Sequence, residues 1–319
     1  MVDASADGDA DGLASRQAAG PTPRDPLLRL AALAWWFAWH LPMCAVNYYG
    51  VLAAKRLWFA LAQRPSRERA VTSATGRRIV AEYRANQISI LPDYLSPASL
   101  DRLEGLLRDA GCREAVARRK REAKGDPRAD YFHLSQEAFP PELRRRLLDE
   151  VFPADFVPAY ELARGRALRC HSITYHETDP SDPLTRVGDS TFNAHPFHCD
   201  GNPKFAKALL YLSDVGEGSG PFEMIESSRF ADELIRLAYS SKLAKRSRIA
   251  SRLREHLPAA LRRPTHLWDL SAADVERRFG PIRRALGRRG TFVVFDGMNV
   301  HNGSRDQKER REVLHFIFV

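Results

Sequence analysis

The chain has 319 residues, 44% of them hydrophobic, and a formal net charge of +9. That length suits one large domain with an appendage, and it is enough to bury a sizeable core. Its four cysteines, Cys44, Cys112, Cys170 and Cys199, form no C-x-x-C pair and have no zinc-like spacing. This excludes a disulfide scaffold and a zinc module, and it fits reduced thiols in a cytosolic chain.

Residues 1–26 are Asp, Gly, Ala, Ser and Pro with few apolar side chains, and are expected to form a disordered tail. No positively charged segment opens them, which argues against a secretory signal. Residues 27–63 form an apolar, aromatic-rich segment of helical character, within which Leu30 to Ala54 carries no Lys, Arg, Asp or Glu. That run is long enough to span a bilayer as a helix, but His40, Pro42, Asn47 and Gly50 dilute it. Its tryptophans and tyrosines favour the membrane interface. Two readings stand: a membrane-associating segment, or an apolar helix docked on the domain. Lys55, Arg56, Arg64, Arg67 and Arg69 follow, and by the positive-inside tendency they would keep the remainder cytoplasmic.

Residues 64–85 read as a linker. Ile88–Leu91 reads as a short strand, and Ser96-Pro97 as the N-cap and first turn of a helix to about Asp109, with Leu100, Leu103, Leu106 and Leu107 in one stripe. Residues 113–128 read as a charged loop or helix end, and 140–151 as a short amphipathic helix. Leu168 to Tyr175 alternates like a strand, with Arg169, His171, Ile173 and Tyr175 on one face. Thr178 to Ser190 is a long Pro- and Asp-rich loop of the kind that covers a site.

The next stretch, Ala194-His195-Pro196-Phe197-His198-Cys199-Asp200-Gly201, carries the chemistry. In an extended segment His198 and Asp200 point to the same side, while His195 and Cys199 point to the other. Strands follow at 206–213 and 221–226. From 230 to 286 the reading is helical and basic. Between Arg229 and Arg289 there are 16 Lys plus Arg against 6 Asp plus Glu, a surplus of ten that accounts for the whole net charge. Such a surface attracts anionic partners, or is simply a solvated arginine-rich face. Strands at 291–296 and 311–318 close the chain. Between them Asn299-Val300-His301-Asn302 supplies a second imidazole.

His198, Asp200 and His301 make a two-histidine, one-carboxylate set with positions open for other ligands, which suits non-haem Fe(II). Arg310 and Arg311 follow His301 by nine and ten residues and offer a guanidinium for a carboxylate. Arg311 shares a face with Val313, His315 and Ile317, and Arg310 shares the other with Glu312. Pointing Glu312 into a pocket beside a carboxylate would be costly, so Arg311 is favoured, with Arg310 the alternative.

With Lys207–Val215, Gly220–Arg229 and Gly290–Gly297 between them, these motifs resemble the Fe(II)/2-oxoglutarate dioxygenases, and within them the phytanoyl-CoA dioxygenase-like family. The resemblance spans residues 86–319. It implies an α+β domain built on a double-stranded β-helix of the jelly-roll or cupin kind. N-terminal helices would pack on one sheet, and 230–286 would be a basic helical insertion over the barrel mouth. It implies His198, Asp200 and His301 as metal ligands and catalytic centre, and Arg311 on the distal carboxylate of 2-oxoglutarate. Tyr175 would be a further cosubstrate contact. The cofactors would be Fe(II), 2-oxoglutarate and O2.

The reaction so implied is hydroxylation of a C–H bond in a small or lipid-linked substrate, with release of succinate and carbon dioxide. Family halogenases have a small residue at the Asp200 position, so a carboxylate there argues for hydroxylation. A catalytically silent binding member and a nucleic-acid-directed oxygenase are the alternatives. Few aromatics interleave with the arginines, which argues against nucleic acid. The expected location is cytoplasmic, with 30–54 and the basic insertion as the surfaces that would meet a membrane.

Overall fold

Two antiparallel sheets face one another across an apolar layer, and helices cover the outer side of the larger sheet. The computed structural model describes residues 26–35, 38–39, 42, 50, 52–122, 132–134, 139–178, 197–198, 205–226, 271–303 and 308–319. Residues 1–25, most of 179–204 and 227–270 lie outside these. They include the expected tail up to Pro26, the loop after Thr178, His195, Cys199, Asp200 and most of the basic insertion.

The N-terminal part is helical: α1 (Pro26–Trp35), α2 (Leu52–Trp58), a π-helical turn (Phe59–Gln63), α3 (Arg64–Ala70) and α4 (Ala74–Asn86). The span read as a linker is therefore two helices. Polar composition concealed them, but Ser73 caps α4 by accepting from the Gly76 N–H, and Ile79 and Tyr83 lie buried one turn apart. Strand β1 (Ile88–Leu91) follows, then α5 (Pro97–Asp109), whose Ser96 accepts from the Ser99 N–H and whose four expected leucines are buried. The charged stretch after it is also a helix, α6 (Cys112–Glu122). After β2 (Phe132–Leu134) come α7 (Pro141–Val151) and α8 (Phe156–Arg164). Helix α8, which is not among the elements expected from the sequence, buries Phe156 and Pro158 through Leu162.

The remaining strands are β3 (Cys170–Thr178), β4 (Ala206–Tyr211), β5 (Phe222–Ile225), β6 (Ile282–Ala285), β7 (Phe292–Phe295), β8 (His301–Asn302) and β9 (Arg311–Phe318), with α9 (Ala272–Phe279) before β6. The helical reading to 286 fails at β6, which pairs with β5 from Ile225↔Ile282 to Phe222↔Ala285. The six-stranded sheet runs β1-β7-β4-β9-β3-β2 and the smaller one β6-β5-β8.

Alternation along the strands sorts side chains into two layers. Tyr175, Leu210, Phe292, Leu314, Phe316 and Phe318 face the helices. There Phe152, Phe156 and Tyr160 pack among them, with the Phe152 ring 4.9 Å from Phe316 and Tyr160 5.6 Å from Phe318. The Tyr160 hydroxyl sits 2.9 Å from the Lys207 carbonyl and 3.2 Å from that of Phe295, so the buried phenol donates at the paired ends of β4 and β7. The opposite side carries Ile88, Tyr211, Val293, Phe295 and Val313, which meet Phe222, Met224 and Ala285 of the smaller sheet. This inner layer frames the site.

Gly290 locks the turn into β7. Its φ is 90°, its N–H donates to the Tyr211 carbonyl at 2.8 Å, and its carbonyl accepts from Tyr94 at 3.2 Å. A Cβ there would stand 2.8 Å from Leu100 Cδ1. Gly290→Ala is expected to cost about 1–3 kcal/mol, read as a lower urea midpoint at unchanged m-value.

Candidate metal and carboxylate site

His198 and His301 form a hydrogen-bonded antiparallel pair, each N–H donating to the other's carbonyl at 2.9 Å. Residues directly opposite in such a pair project to the same side of the sheet. The two imidazoles accordingly lie with ring centroids 4.4 Å apart. On its other edge β8 pairs with β5, with Met224 opposite His301. The rings thus share the inner face with Met224, and the His301 ring lies 5.8 Å from Phe222 and 5.6 Å from Phe295. His301 is buried and His198 half-buried, and Phe222 and Phe295 form the apolar flank of His301.

The tautomer of His301 follows from its surroundings. Its Nδ1 lies 2.8 Å from the Asn299 carbonyl, an acceptor only, so Nδ1 carries the proton and the lone pair belongs to Nε2. That is the arrangement in which a histidine ligates a metal through Nε2 while a backbone carbonyl orients the ring.

A pinned turn presents this histidine. The Asp296 carbonyl accepts from the Asn299 N–H at 3.0 Å, and the Asp296 N–H donates to the Gln87 carbonyl at 3.0 Å. Asp296 Oδ1 accepts from the Met298 N–H at 3.0 Å, and its Oδ2 meets Arg164 at 2.6 Å. Asn299 Nδ2 donates to Gln87 Oε1 at 2.7 Å. Gln87 is the left-handed C-cap of α4, with φ 61°. Burial works against the Arg164 charge, but Asp296 and the Tyr83 hydroxyl hold the guanidinium above its usual range. The turn therefore rests on the α4 cap and on a buried ion pair from α8.

Arg311 opens β9 on the inner face and is buried, with Nη1 donating to the Gly220 carbonyl. Beside it Tyr211 crosses between the sheets, its hydroxyl donating to the Ala285 carbonyl at 2.7 Å. Burial pushes that hydroxyl up to about 12 against the pull of the Arg311 charge. Arg310 turns the other way, toward Glu177 and Glu312. Glu312 is buried on the helix side, where Arg113 meets it at 2.9 Å. The face expected for Arg311 is the face it occupies.

Tyr175 does not share that face. It stands opposite Leu314, the residue on the helix side of β9, and it is buried in the helix-covered core beside Arg113. Burial raises its hydroxyl well above the usual range. As a cosubstrate contact Tyr175 is corrected: the parity of β3 aims it away from Arg311. The alternate positions, Thr174, His176 and Thr178, stand opposite His315, Val313 and Arg311 and face inward. The His176 and His315 rings lie 5.7 Å apart, edge to face. The side of His176 was readable from the sequence, because an apolar Ile173/Tyr175 face belongs to the core and leaves the polar positions on the other side.

Asp200 lies outside the described residues. Among those residues no group of three or more His, Cys, Asp or Glu side chains is arranged to hold a metal ion. The structure brings together two of the three residues of the ligand set.

Asp296→Ala is expected to destabilise the fold by about 3–5 kcal/mol, since it strands the buried Arg164 charge. Asp296→Asn should recover part of that, because an amide oxygen still accepts from Met298. Urea unfolding of both variants measures the difference.

No protein-family profile and no curated protein matches this sequence. Among solved structures, the chain is similar to the epimerase SnoN in complex with Fe3+, alpha ketoglutarate and nogalamycin RO. The TM-score is 0.48 at 14% identity, covering 77% of this chain and 84% of that one. It is also similar to the non-heme alpha ketoglutarate dependent carbocyclase SnoK from nogalamycin biosynthesis, at TM-score 0.46 and 14% identity over 77% and 83% of the two chains. A third is HygX from Streptomyces hygroscopicus with nickel and 2-oxoglutarate bound, at TM-score 0.45 and 14% identity over 76% and 86%. All three match at 14% identity and TM-scores below 0.5, a distance that carries neither activity nor residue role across.

Proposed function

We propose that the chain is an Fe(II)/2-oxoglutarate-dependent oxygenase that hydroxylates a C–H bond of a small or lipid-linked molecule and releases succinate and carbon dioxide. The observation that carries this reading is the His198–His301 pair, with adjacent rings and a His301 tautomer that presents Nε2 as donor to a metal. Asp200, two residues past His198, is the third ligand in this reading. Continuing the extended backbone from the His198 bridge would bring its carboxylate to the same side. Two imidazoles and a carboxylate fit ferrous iron and leave positions for other ligands. In the same reading the two facing sheets are the halves of a double-stranded β-helix.

The side chains divide the work. Phe222, Met224 and Phe295 keep water from one flank of the imidazoles. Arg311 would grip the distal carboxylate of 2-oxoglutarate with two parallel hydrogen bonds. The carbonyl that Arg311 now meets belongs to Gly220, four residues before Met224, the partner of His301. In this reading a dicarboxylate would bridge the guanidinium and the imidazoles along that segment. His176 and His315 would line the inner wall of β3 and β9 as donors toward polar groups of the bound molecules. When bound, iron supplies the chemistry with dioxygen that no side chain can perform, while the protein supplies geometry and dryness.

The test is metal and cosubstrate binding followed by turnover. The full chain should bind ferrous iron, or nickel as a redox-silent substitute, and form succinate from 2-oxoglutarate. His301→Ala should weaken metal binding by more than the roughly 10–100-fold cost of losing a ligand's hydrogen-bonding partner. Arg311→Ala should leave metal binding intact and weaken 2-oxoglutarate about 10–100-fold, the worth of hydrogen bonds to a charged group. Arg310→Ala should change neither. Metal binding that survives His301→Ala would sink the assignment.

A further inference from the structure

Large apolar side chains exposed among the described residues are Leu27, Leu30, Trp39, Leu57, Trp58, Leu61 and Leu286. All but the last fall between residues 27 and 61, so the exposure is concentrated in one segment rather than scattered singly.

The helix formed by α2, the π-helical turn and α3 shows how that face arises. Its docked side is Phe59, Gln63 and Arg67, spaced a turn apart. Phe59 is buried, and Arg67 Nε lies 2.5 Å from Glu161 Oε2 of α8, which is itself buried. Leu57, Trp58 and Leu61 occupy the remaining arc and are 61%, 65% and 73% exposed. Packing against the domain is thus already met by the opposite side of the helix, and docking of that segment does not account for the outward apolar face. Lys55 and Arg56 are exposed on the turn just before that face, and the charge-free run from Leu30 to Ala54 leads directly into it. No described helix is long and apolar enough to cross a membrane.

We propose that this face, Leu57, Trp58 and Leu61 flanked by Lys55 and Arg56, docks the protein on the surface of an anionic phospholipid bilayer. An apolar arc with an aromatic residue and basic margins is the composition of a helix lying in the interface plane. The leucines would enter the acyl boundary, the indole would sit at headgroup depth, and the two cations would meet lipid phosphates. Charge selects this occupant over a second copy of the chain, since like basic margins would oppose each other across a symmetric contact. The inference is independent of the oxygenase reading, because its readout is binding and not turnover.

Sedimentation of the full chain with phosphatidylcholine vesicles, with and without phosphatidylserine, tests it. The protein should pellet with the mixed vesicles, lose that binding as salt rises, and stay in solution with neutral ones. The triple variant Leu57→Ser, Trp58→Ser, Leu61→Ser should lower partitioning at least about tenfold. Lys55→Glu with Arg56→Glu should remove the preference for phosphatidylserine. Circular dichroism and urea unfolding of each variant establish that the fold persists. Undiminished pelleting of the triple variant overturns the proposal. So does a concentration-dependent dimer that the triple variant abolishes while the parent chain ignores both vesicle types.

Discussion

Two backbone hydrogen bonds between His198 and His301 set the geometry on which the rest of the site depends. A register slipped by one residue would turn one imidazole to the opposite side, since such a shift inverts every side chain of a strand. With the pair in place the rings have no separate freedom to find each other. The distance between them is fixed by the ladder, not by long side chains searching for a metal. Strand β5 holds the other edge of β8, so the distal histidine is clamped between two neighbours. That rigidity is what a ligand set requires before any ion arrives.

The second constraint is burial of charge around the site. Arg164, Asp296, Glu312 and Arg311 are all removed from most solvent, and each is met by a charge or a carbonyl. Such groups are weak sources of net stability, because desolvation offsets most of the attraction. Their value here is positional. Asp296 fixes the turn before His301, and Glu312, held by Arg113 and Arg310, fixes which way β9 faces. An incorrect phase would leave several buried charges without partners at once.

The legible parts of the sequence were those whose signal is local and one-sided. Strand β1, helix α5 with its Ser96 cap, and the alternation of β9 all combine a boundary residue with one buried face. The side of β9 that Arg311 takes was legible for the same reason, from alternation along one extended segment. What escaped was buried on every side or set by a partner distant in sequence. Helix α8 presents no fully exposed side, and most of its residues are buried. Strand β6 is short and arginine-rich, and only its pairing with β5 makes it a strand. For Tyr175 the alternation was read but the wrong side was assigned, because which side of β3 faces the cavity is decided by its register with β9.

That last case shows how one register determines two assignments. Opposite Arg311 stands Thr178, and two residues back along β3 comes His176, so an inward Arg311 requires an inward His176. The same step puts Tyr175 beside Leu314 among the helices. Arg311 and Tyr175 therefore cannot share a side, and the two expectations were incompatible once β3 and β9 were neighbours. Glu312 resolves the choice physically. Its carboxylate is buried but satisfied by Arg113 on the helix side, whereas on the inner side it would enter the apolar layer of Tyr211, Phe222 and Val313. The phase of β9 is thus fixed by where its one acidic residue is tolerated, and Arg311 is left on the inner side, where the Gly220 carbonyl accepts from it.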